Sequence, residues 1–362
     1  DKWVDYFFTW DSPDWTANTA AGCHTKTNTV AERPSCPAGG FIEPLDRRFN
    51  SADPSDPTVD PDLKPMKEHE IQFGVSRDLN KSIVVGARYV RKNLVRTIED
   101  VGIVVPGIGE VFYIANPGEG ISLTLADPGV PDFPKAKREY QGFELRMDRR
   151  FMGNWGAFVS YTYSRLQGNY SGLASSDEDG RTSPNVNRFF DHIENTFDRT
   201  GRAVEGNLGT DRPHSFKGQL LYRFKWDMTV GLNQYLGTGI PISEEANVGA
   251  GVPFFPYGRD NLARTDTLFN TDLSVYQNFK LGRADLQIGA TVLNLFDGDA
   301  VTRRANERTV SSLPLTTEQF FRGGWDYEGL LRADPSLLDV KFNQANQFQA
   351  PRELRLTMRL QF

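Results

Sequence analysis

The long polar connections of this chain concentrate the side chains that could bind a ligand. Segments 187–199, 251–261 and 318–329 combine Phe, Trp and Tyr with Arg and carboxylates. Aromatic and Arg side chains carry much of the binding energy at recognition surfaces, so these segments predict one here. The alternative is that the same side chains pack the connections against one another. The candidate ligand-binding residues are Phe189, Phe190, Arg199, Phe254, Phe255, Tyr257, Arg259, Phe320, Phe321, Trp325 and Tyr327.

Catalytic chemistry has weaker support in the sequence. Asp191 and His192 are adjacent, but neighbouring residues usually point apart, and no second acid accompanies the pair. The four histidines, which are His24, His69, His192 and His214, show no metal-ligand spacing. We therefore expect no enzyme and no cofactor, with a barrel enzyme of the protease or lipase type as the alternative.

The acidic segment 51–62, "SADPSDPTVDPD", offers carboxylate oxygens of the kind that calcium prefers. It lacks the spacing and the glycine of an EF-hand, so a solvated Pro/Asp turn is favoured and no metal site is predicted. The weak calcium candidates are Asp53, Asp56, Asp60 and Asp62.

Cys23 and Cys36 are the only cysteines of the chain, and both lie in a polar, Pro- and Gly-rich segment. Free thiols are a liability there, which favours a disulfide over two unpaired cysteines. Such a bridge would stabilise the fold by roughly 3 kcal/mol and would indicate an oxidising compartment.

These side chains must be positioned by strands, because apolar and polar residues alternate with a period of two in ten segments. The last segment, "RELRLTMRLQF", places Leu354, Leu356 and Met358 on one face and Arg355 and Thr357 on the other. The ten predicted strands lie near 2–10, 67–78, 82–95, 138–150, 155–166, 214–225, 227–237, 267–280, 284–296 and 352–362.

Long and short connections alternate between these strands. In an antiparallel meander this gathers all long connections at one rim and all short turns at the other, which is the pattern of outer-membrane barrels. No apolar run reaches the roughly 18 residues of a membrane helix, and no helical stretch is obvious, whereas a barrel strand needs only about 9 to 11 alternating residues. The prediction is an all-β, transmembrane antiparallel β-barrel. Its net charge of −6 gives no indication of nucleic-acid binding.

Charges recur on the polar faces of strands that also have a clean apolar face. Their mixed signs indicate a wide interior that faces water or another polar domain rather than a small filled barrel. The residues predicted to face this lumen are Glu144, Arg146, Asp148, Arg150 and Asp272.

Three segments carry a family resemblance: "IGATVLNLFD" with the terminal "RLTMRLQF", "YQGFELRMDRRFMGNWGAFVSYTYSRLQG", and "GNLGTDRPHSFKGQLLYRF". Together they resemble the C-terminal barrel half of TonB-dependent outer-membrane receptors, with the Oar-like branch closest. The resemblance runs from about residue 65 onward.

The resemblance implies a plugged barrel of about 22 strands, of which residues 1–362 would supply about the last ten. We expect the plug, the first strands and the TonB box to lie upstream. The implied function is active import, with extracellular loops binding a ligand and the TonB complex acting through the upstream part. The other implied partners are outer-membrane lipid and the barrel-assembly machinery. This machinery would recognise the terminal Phe362 as an assembly signal. A passive structural outer-membrane protein is a further alternative.

Overall fold

The computed structural model describes residues 5–8, 42–45, 59–105, 109–125, 129–172, 190–249 and 251–362. The chain divides into two compact units, Asp1–Pro61 and Asp62–Phe362. In the first unit, β1 (Asp5–Phe8) pairs antiparallel with β2 (Ile42–Leu45). The sequence placed β1 as the first strand of the main meander and placed β2 inside a long loop. That assignment is corrected: a period-two pattern specifies a strand but not its partner.

The second unit is built on one antiparallel sheet whose spatial order follows the chain order. An antiparallel meander with this order confirms the predicted all-β class, and nine of the ten predicted strands form its main path. Within the described residues β3 (Lys67–Asp78) and β18 (Glu353–Gln361) are its two edges, so the closed ring and the total number of strands stay predictions. The nine strands are β3 (Lys67–Asp78), β4 (Ile83–Arg96), β7 (Arg138–Met152), β8 (Trp155–Gly168), β10 (His214–Arg223), β11 (Met228–Gly237), β14 (Leu268–Leu281), β15 (Ala284–Leu293) and β18 (Glu353–Gln361).

Four tight turns join these strands in pairs. The Asn80 side chain accepts hydrogen bonds from the backbone N–H groups of Ser82 and Ile83, at 2.9 and 3.0 Å, and so fixes the β3–β4 turn. Gly153 and Gly282 have φ values of 70° and 66° in the β7–β8 and β14–β15 turns, where a glycine avoids the steric cost of this backbone conformation. The short connections are therefore encoded locally.

The pairing register carries one apolar face across the whole sheet. One row of paired positions runs Val75, Ala87, Leu145, Tyr161 and Phe216, and the remaining strands continue the same face. Leu354, Leu356, Met358 and Leu360 complete it on β18, where all four side chains are exposed. Since a slip of one residue would turn a strand's apolar side chains to the opposite face, this agreement shows that the register is specified throughout.

The long connections contain further secondary structure. Short strands form three local pairs, and two short helices lie before the last strand. No helix is obvious from the sequence, although Thr316 and Gln319 form a capping box at the start of α1 (Thr317–Arg322), and the Thr-x-x-Gln spacing is a usable sequence signal. These elements are β5 (Glu99–Val105), β6 (Gly109–Ala115), β9 (Gly206–Asn207), β12 (Ala246–Val248), β13 (Val252–Phe254), β16 (Val301–Arg304), β17 (Ala345–Phe348), α1 (Thr317–Arg322) and α2 (Tyr327–Ala333). In the described part of the chain, no helix combines the length and apolarity needed to cross a membrane.

The apolar core of the second unit lies in these connections rather than on the sheet. We call segments 97–137, 169–213, 238–267 and 294–352 the loop cap, in so far as the structure describes them. Nearly all of the buried apolar residues of the unit belong to it, so the loop cap has a core of its own. That core comprises Leu94 of β4 together with the loop-cap residues Val101, Ala115, Phe133, Ala136, Tyr170, Phe190, Ile193, Phe197, Ala246, Val248, Phe254, Leu313, Phe320, Tyr327, Leu331 and Leu337.

The "NLFD" segment that follows β15 joins the loop cap to the sheet. The backbone N–H of Asn294 donates to Asp272 Oδ1 at 3.0 Å, and its side-chain amide donates to the Gly298 and Ala350 carbonyls at 2.8 Å. Asn294 has a φ of 48°, a conformation that Asn tolerates better than most residues. This segment therefore acts as a structural anchor between the end of β15 and the start of β18.

Candidate functional site

The loop cap holds an aromatic core built from predicted recognition residues. Phe254 is fully buried (0% exposed), with ring centroids of Phe320 and Tyr327 at 5.2 and 6.3 Å, both nearly perpendicular to it. The indole N–H of Trp325 donates to the Phe320 carbonyl at 3.0 Å, which fixes a further ring against the first two. Edge-to-face aromatic packing of this kind stabilises a core beyond area burial alone.

The eleven predicted ligand-binding residues therefore divide by exposure. Phe189 lies outside the described residues. Six are buried, namely Phe190, Phe254, Phe255, Arg259, Phe320 and Tyr327. Phe321 and Trp325 are half-buried, and Arg199 and Tyr257 are exposed. For the buried residues the geometry matches the alternative interpretation, in which aromatic side chains pack the connections together. The binding role of the exposed residues stays a prediction.

A hydrogen-bonded cluster extends from this core to the surface. Tyr327 Oη donates to Glu244 Oε1 at 3.0 Å, and Tyr257 Oη donates to Glu328 Oε1 at 2.7 Å. Arg308 lies between the two carboxylates, with Nη2 at 3.3 Å from Glu328 Oε2 and Nη1 at 3.8 Å from Glu244 Oε1. We call these five residues the carboxylate–tyrosine cluster.

Burial affects the pKa values of the groups in the carboxylate–tyrosine cluster. Glu244 is 3% exposed, and burial raises its pKa, an effect that Arg308 and the Tyr327 hydroxyl partly oppose. Burial together with Glu328 raises the pKa of the Tyr257 hydroxyl to about 12, so this group is a hydrogen-bond donor at any physiological pH. At the surface, the Arg199 guanidinium lies 4.8 Å from the Tyr257 ring centroid. Cation–π contact of this kind holds an exposed Arg over an aromatic face.

The sequence patterns did not single out Glu244, Arg308 or Glu328. Glu244 comes from one connection and Arg308 and Glu328 come from another, so Glu244 approaches them only through contacts between segments far apart in the chain. In the sequence, only the residue types could have indicated this cluster: two carboxylates and one Arg within or near aromatic segments. The cluster can hold a polar or charged group at its exposed end, where Tyr257, Glu328 and Arg199 offer both donors and acceptors.

A second ionic junction ties the first part of the loop cap to the sheet. Glu119 accepts from Arg96 Nε at 3.1 Å and from Lys64 Nζ and Lys135 Nζ at 3.3 Å each. Burial opposes the charge of this carboxylate, but hydrogen bonds from its three cationic neighbours outweigh burial and lower its pKa to about 2. The junction is therefore a structural ion-pair network on an otherwise polar surface.

The predicted lumen residues share the polar face of the sheet. Arg88 Nη2 forms an ion pair with Glu144 Oε2 at 2.9 Å across β4 and β7. The pairing register places Asp148 and Asp272 on the same row, linked through the paired residues of β8, β10 and β11. Asp148, Arg150 and Asp272 line a groove of about 640 Å³ on this face. Whether a plug faces it stays a prediction.

The remaining sequence predictions have mixed outcomes. Cys23, Cys36, Asp53 and Asp56 lie outside the described residues, so the disulfide and most of the weak calcium site stay predictions. Asp60 is buried and Asp62 is exposed, and no group of three acidic, His or Cys residues able to hold a metal occurs in the described part of the chain.

Phe362 is almost fully exposed beyond the end of β18, and its assembly role stays a prediction.

Comparison with known proteins supplies the family context. No family model matches the chain. The TonB-dependent transporter Oar of Myxococcus xanthus is 26% identical over 362 aligned residues, which cover 94% of this chain and 32% of that protein. The chain thus spans about a third of the length of the curated relative it matches.

Solved structures with a detectable likeness include receptors and transporters. The outer membrane transporter YddB of Escherichia coli is 13% identical, with 68% of this chain and 30% of that chain covered and a TM-score of 0.47. The ferric-catecholate import receptor Fiu of Escherichia coli K12 is 16% identical, with 68% and 26% covered and a TM-score of 0.38. The ferripyoverdine receptor of Pseudomonas aeruginosa is 12% identical, with 67% and 25% covered and a TM-score of 0.40.

The curated relative agrees with the class predicted from the sequence. It is a transporter and not an enzyme, and TonB-dependent transporters are proteins of the bacterial outer membrane. The resemblance carried by the "NLFD" strand and the barrel hairpins is thereby confirmed. This chain is related to the TonB-dependent outer-membrane transporters, through the Oar type.

Proposed function

We propose that this chain is a C-terminal barrel portion of an outer-membrane active-transport receptor. The observation that carries the proposal is the loop cap: all four long connections of the described sheet leave the same end of the meander and share one core. A receptor needs such a rigid platform at its outer mouth to present ligand-binding side chains. The transporter class of the curated relative supports the same function.

Ligand capture is assigned to the exposed end of the carboxylate–tyrosine cluster. Arg199, Tyr257 and Glu328 present a guanidinium, a hydroxyl and a carboxylate there, and contacts within the loop cap hold them in place. Preorganised polar groups over a rigid aromatic core bind with a smaller entropy cost than mobile loops do. The buried aromatic residues act as support for this site rather than as ligand contacts.

Energy coupling is assigned to the upstream part of the complete receptor. A plug in the lumen would contact the polar face, where Asp148, Arg150 and Asp272 line the groove. Force from the TonB complex would remodel that plug and admit the ligand. In this scheme the strands of the present chain serve as a fixed wall.

A labelling experiment tests the orientation on which the proposal depends. Cysteines introduced at Asn80, Gly153, Asp227 and Gly282 should be protected from a membrane-impermeant maleimide on intact cells, whereas one at Gly258 should react. Ser176, which lies outside the described residues, should also react. Reaction of the turn set on intact cells would overturn the assignment of the loop cap to the outer surface.

Transport itself can be tested while the ligand is still unidentified. Cells with the complete receptor, with a receptor lacking the TonB box, or with Tyr257→Ala and Glu328→Ala together would be grown in the same spent medium. Mass spectrometry should find a compound that only the first strain depletes. Depletion that persists without the TonB box would favour a passive protein, and a new product in the medium would favour an enzyme.

A further inference from the structure

The four tight turns form a cationic surface, and of its cations only Arg150 has a part in the transport function proposed above. We call segments 77–82, 149–154, 223–227 and 280–285 the turn rim. Each segment carries two Lys or Arg residues, and the whole turn rim has only three aspartates against eight cations, in a chain of net charge −6. The cations are Arg77, Lys81, Arg149, Arg150, Arg223, Lys225, Lys280 and Arg283.

Most of these cations are not neutralised within the protein. Arg223 forms an ion pair with Asp227 at 2.9 Å, and the Arg149 guanidinium lies 3.5 Å from the Trp155 ring centroid. The other six form no ion pair with the residues that the structure describes, and all six are exposed. Exposed Lys and Arg side chains concentrated at one end of a sheet attract anionic partners.

Each turn also exposes a large apolar side chain beside its cations. Trp226 is 60% exposed and stacks on Phe224 with ring centroids 4.6 Å apart, and Phe224 in turn meets Tyr222 at 4.7 Å. Leu79, Phe151, Met152 and Leu281 are the exposed apolar residues of the other turns. These side chains lie where the apolar face of the sheet ends.

This combination fits a lipid headgroup layer better than a soluble anion. Tryptophan and other aromatic side chains prefer the boundary between hydrocarbon and water, and Lys and Arg extend from that boundary toward phosphate groups. We propose that the turn rim binds acidic phospholipids, of the phosphatidylglycerol or cardiolipin type, in the periplasmic leaflet. The proposal rests on the outer-membrane function above, because that function places the turns in this leaflet.

The test uses the complete receptor in nanodiscs of phosphatidylcholine with a minor fraction of phosphatidylglycerol. Native mass spectrometry should find phosphatidylglycerol retained in preference to phosphatidylcholine. Lys225→Glu with Arg283→Glu should reduce that preference at least about tenfold, since each cation near an acidic surface contributes appreciably to binding. The matched control, Arg202→Glu with Lys341→Glu on the loop cap, should leave it unchanged.

Three further results decide the outcome. Raised salt should weaken the preference of the unmodified receptor, which tests the proposal even if the double variant does not fold. An equal loss in the loop-cap control, or no preference at all, would overturn it. Displacement of phosphatidylglycerol by soluble glycerol phosphate would reveal an anion site without lipid specificity and would also overturn it. None of these readouts depends on transport, so failure of the transport test alone leaves them interpretable.

Discussion

The loop cap and the sheet treat apolar side chains in opposite ways. In the loop cap, Phe254 and Tyr327 are buried inside a core that is shared by all four long connections. On the sheet, Phe73 and Leu356 point outward on a continuous apolar face, and charged residues such as Glu144 occupy the other face. The loop cap follows the rules of a water-soluble fold, whereas the sheet follows the rules of a protein whose solvent is lipid.

The difference shows that a single chain can be suited to two solvents, with strands that suit lipid and long connections that suit water. A strand needs only alternating apolar and polar residues, so the sequence pattern that specifies it is local and recurs from strand to strand. The loop cap needs contacts among segments far apart in the chain, so it must be specified residue by residue. A variant in the loop-cap core should therefore destabilise the loop cap, and a variant on the apolar face of the sheet should destabilise the barrel. The two effects should be separable.

The largest expected effect is in the core of the loop cap. Phe254→Ala should cost about 3–5 kcal/mol of loop-cap stability, because it removes a large buried ring from the centre of the aromatic cluster. Hydrogen exchange should show faster opening of segments 238–267 and 294–352, while heat-modifiable folding of the barrel is retained. Phe73→Ala, at an exposed position on the sheet, is the matched control and should leave the loop cap unchanged. Equal exchange in both variants would contradict an independent loop-cap core.

The second effect lies on the last strand. Leu356 is 78% exposed on the apolar face, so Leu356→Arg should cost about 2–4 kcal/mol if this face contacts the bilayer midplane. Arg355→Leu changes the neighbouring residue on the polar face and should be far milder. The amount of heat-modifiable folded protein in the outer membrane measures both. Normal accumulation of the Leu356 variant would mean that this face does not meet lipid.

A smaller effect is expected at the Glu119 junction. Glu119→Gln should cost about 1–2 kcal/mol at neutral pH, because hydrogen bonds between charged groups are lost but two of the three cationic partners are largely solvent-exposed. Hydrogen exchange of the loop cap, monitored during thermal unfolding, measures this loss of stability.

The pH dependence of that loss has a definite sign. The folded pKa of about 2 lies below the ordinary value of 4.5, so the stabilisation is complete above about 4.5 and disappears as the pH falls toward 2. Wild type and Glu119→Gln should therefore converge in stability at the acidic end. A difference that stayed constant over this range would show that the charge of Glu119 is not responsible.

The smallest effect is expected at Glu244. Because burial raises its folded pKa above the unfolded value of 4.5, the contribution of its protonated form is complete below 4.5 and is lost as the pH rises through the folded pKa. Glu244→Gln keeps an acceptor for Tyr327 and removes the titration. Loop-cap stability of the variant should therefore change less with pH than that of wild type. An unchanged pH profile would contradict the raised pKa.

The same contrast explains how much could be predicted from the sequence. The hairpins around Gly153 and Gly282 were predicted because alternation and turn chemistry are local signals. The partner of β1 and the approach of Glu244 to Arg308 were not, since each depends on tertiary contacts. The helix that begins at Thr317 was also missed, although its Thr-x-x-Gln capping box is a local signal. Phe254 and Tyr257 illustrate the remaining ambiguity: both are aromatic residues in the same segment, yet one is buried in the core and the other is exposed beside Arg199.

The composite origin of the carboxylate–tyrosine cluster has an evolutionary consequence. Of its five residues, Glu244 and Tyr257 belong to one connection, and Arg308, Tyr327 and Glu328 belong to another. The neighbouring Arg199 belongs to a third connection. A receptor of this kind cannot acquire a new specificity by exchanging one loop with a homologue, because the transplanted segment would meet partners selected for a different loop. Its loops should be inherited and should diversify as a set, while the strands beneath them drift independently.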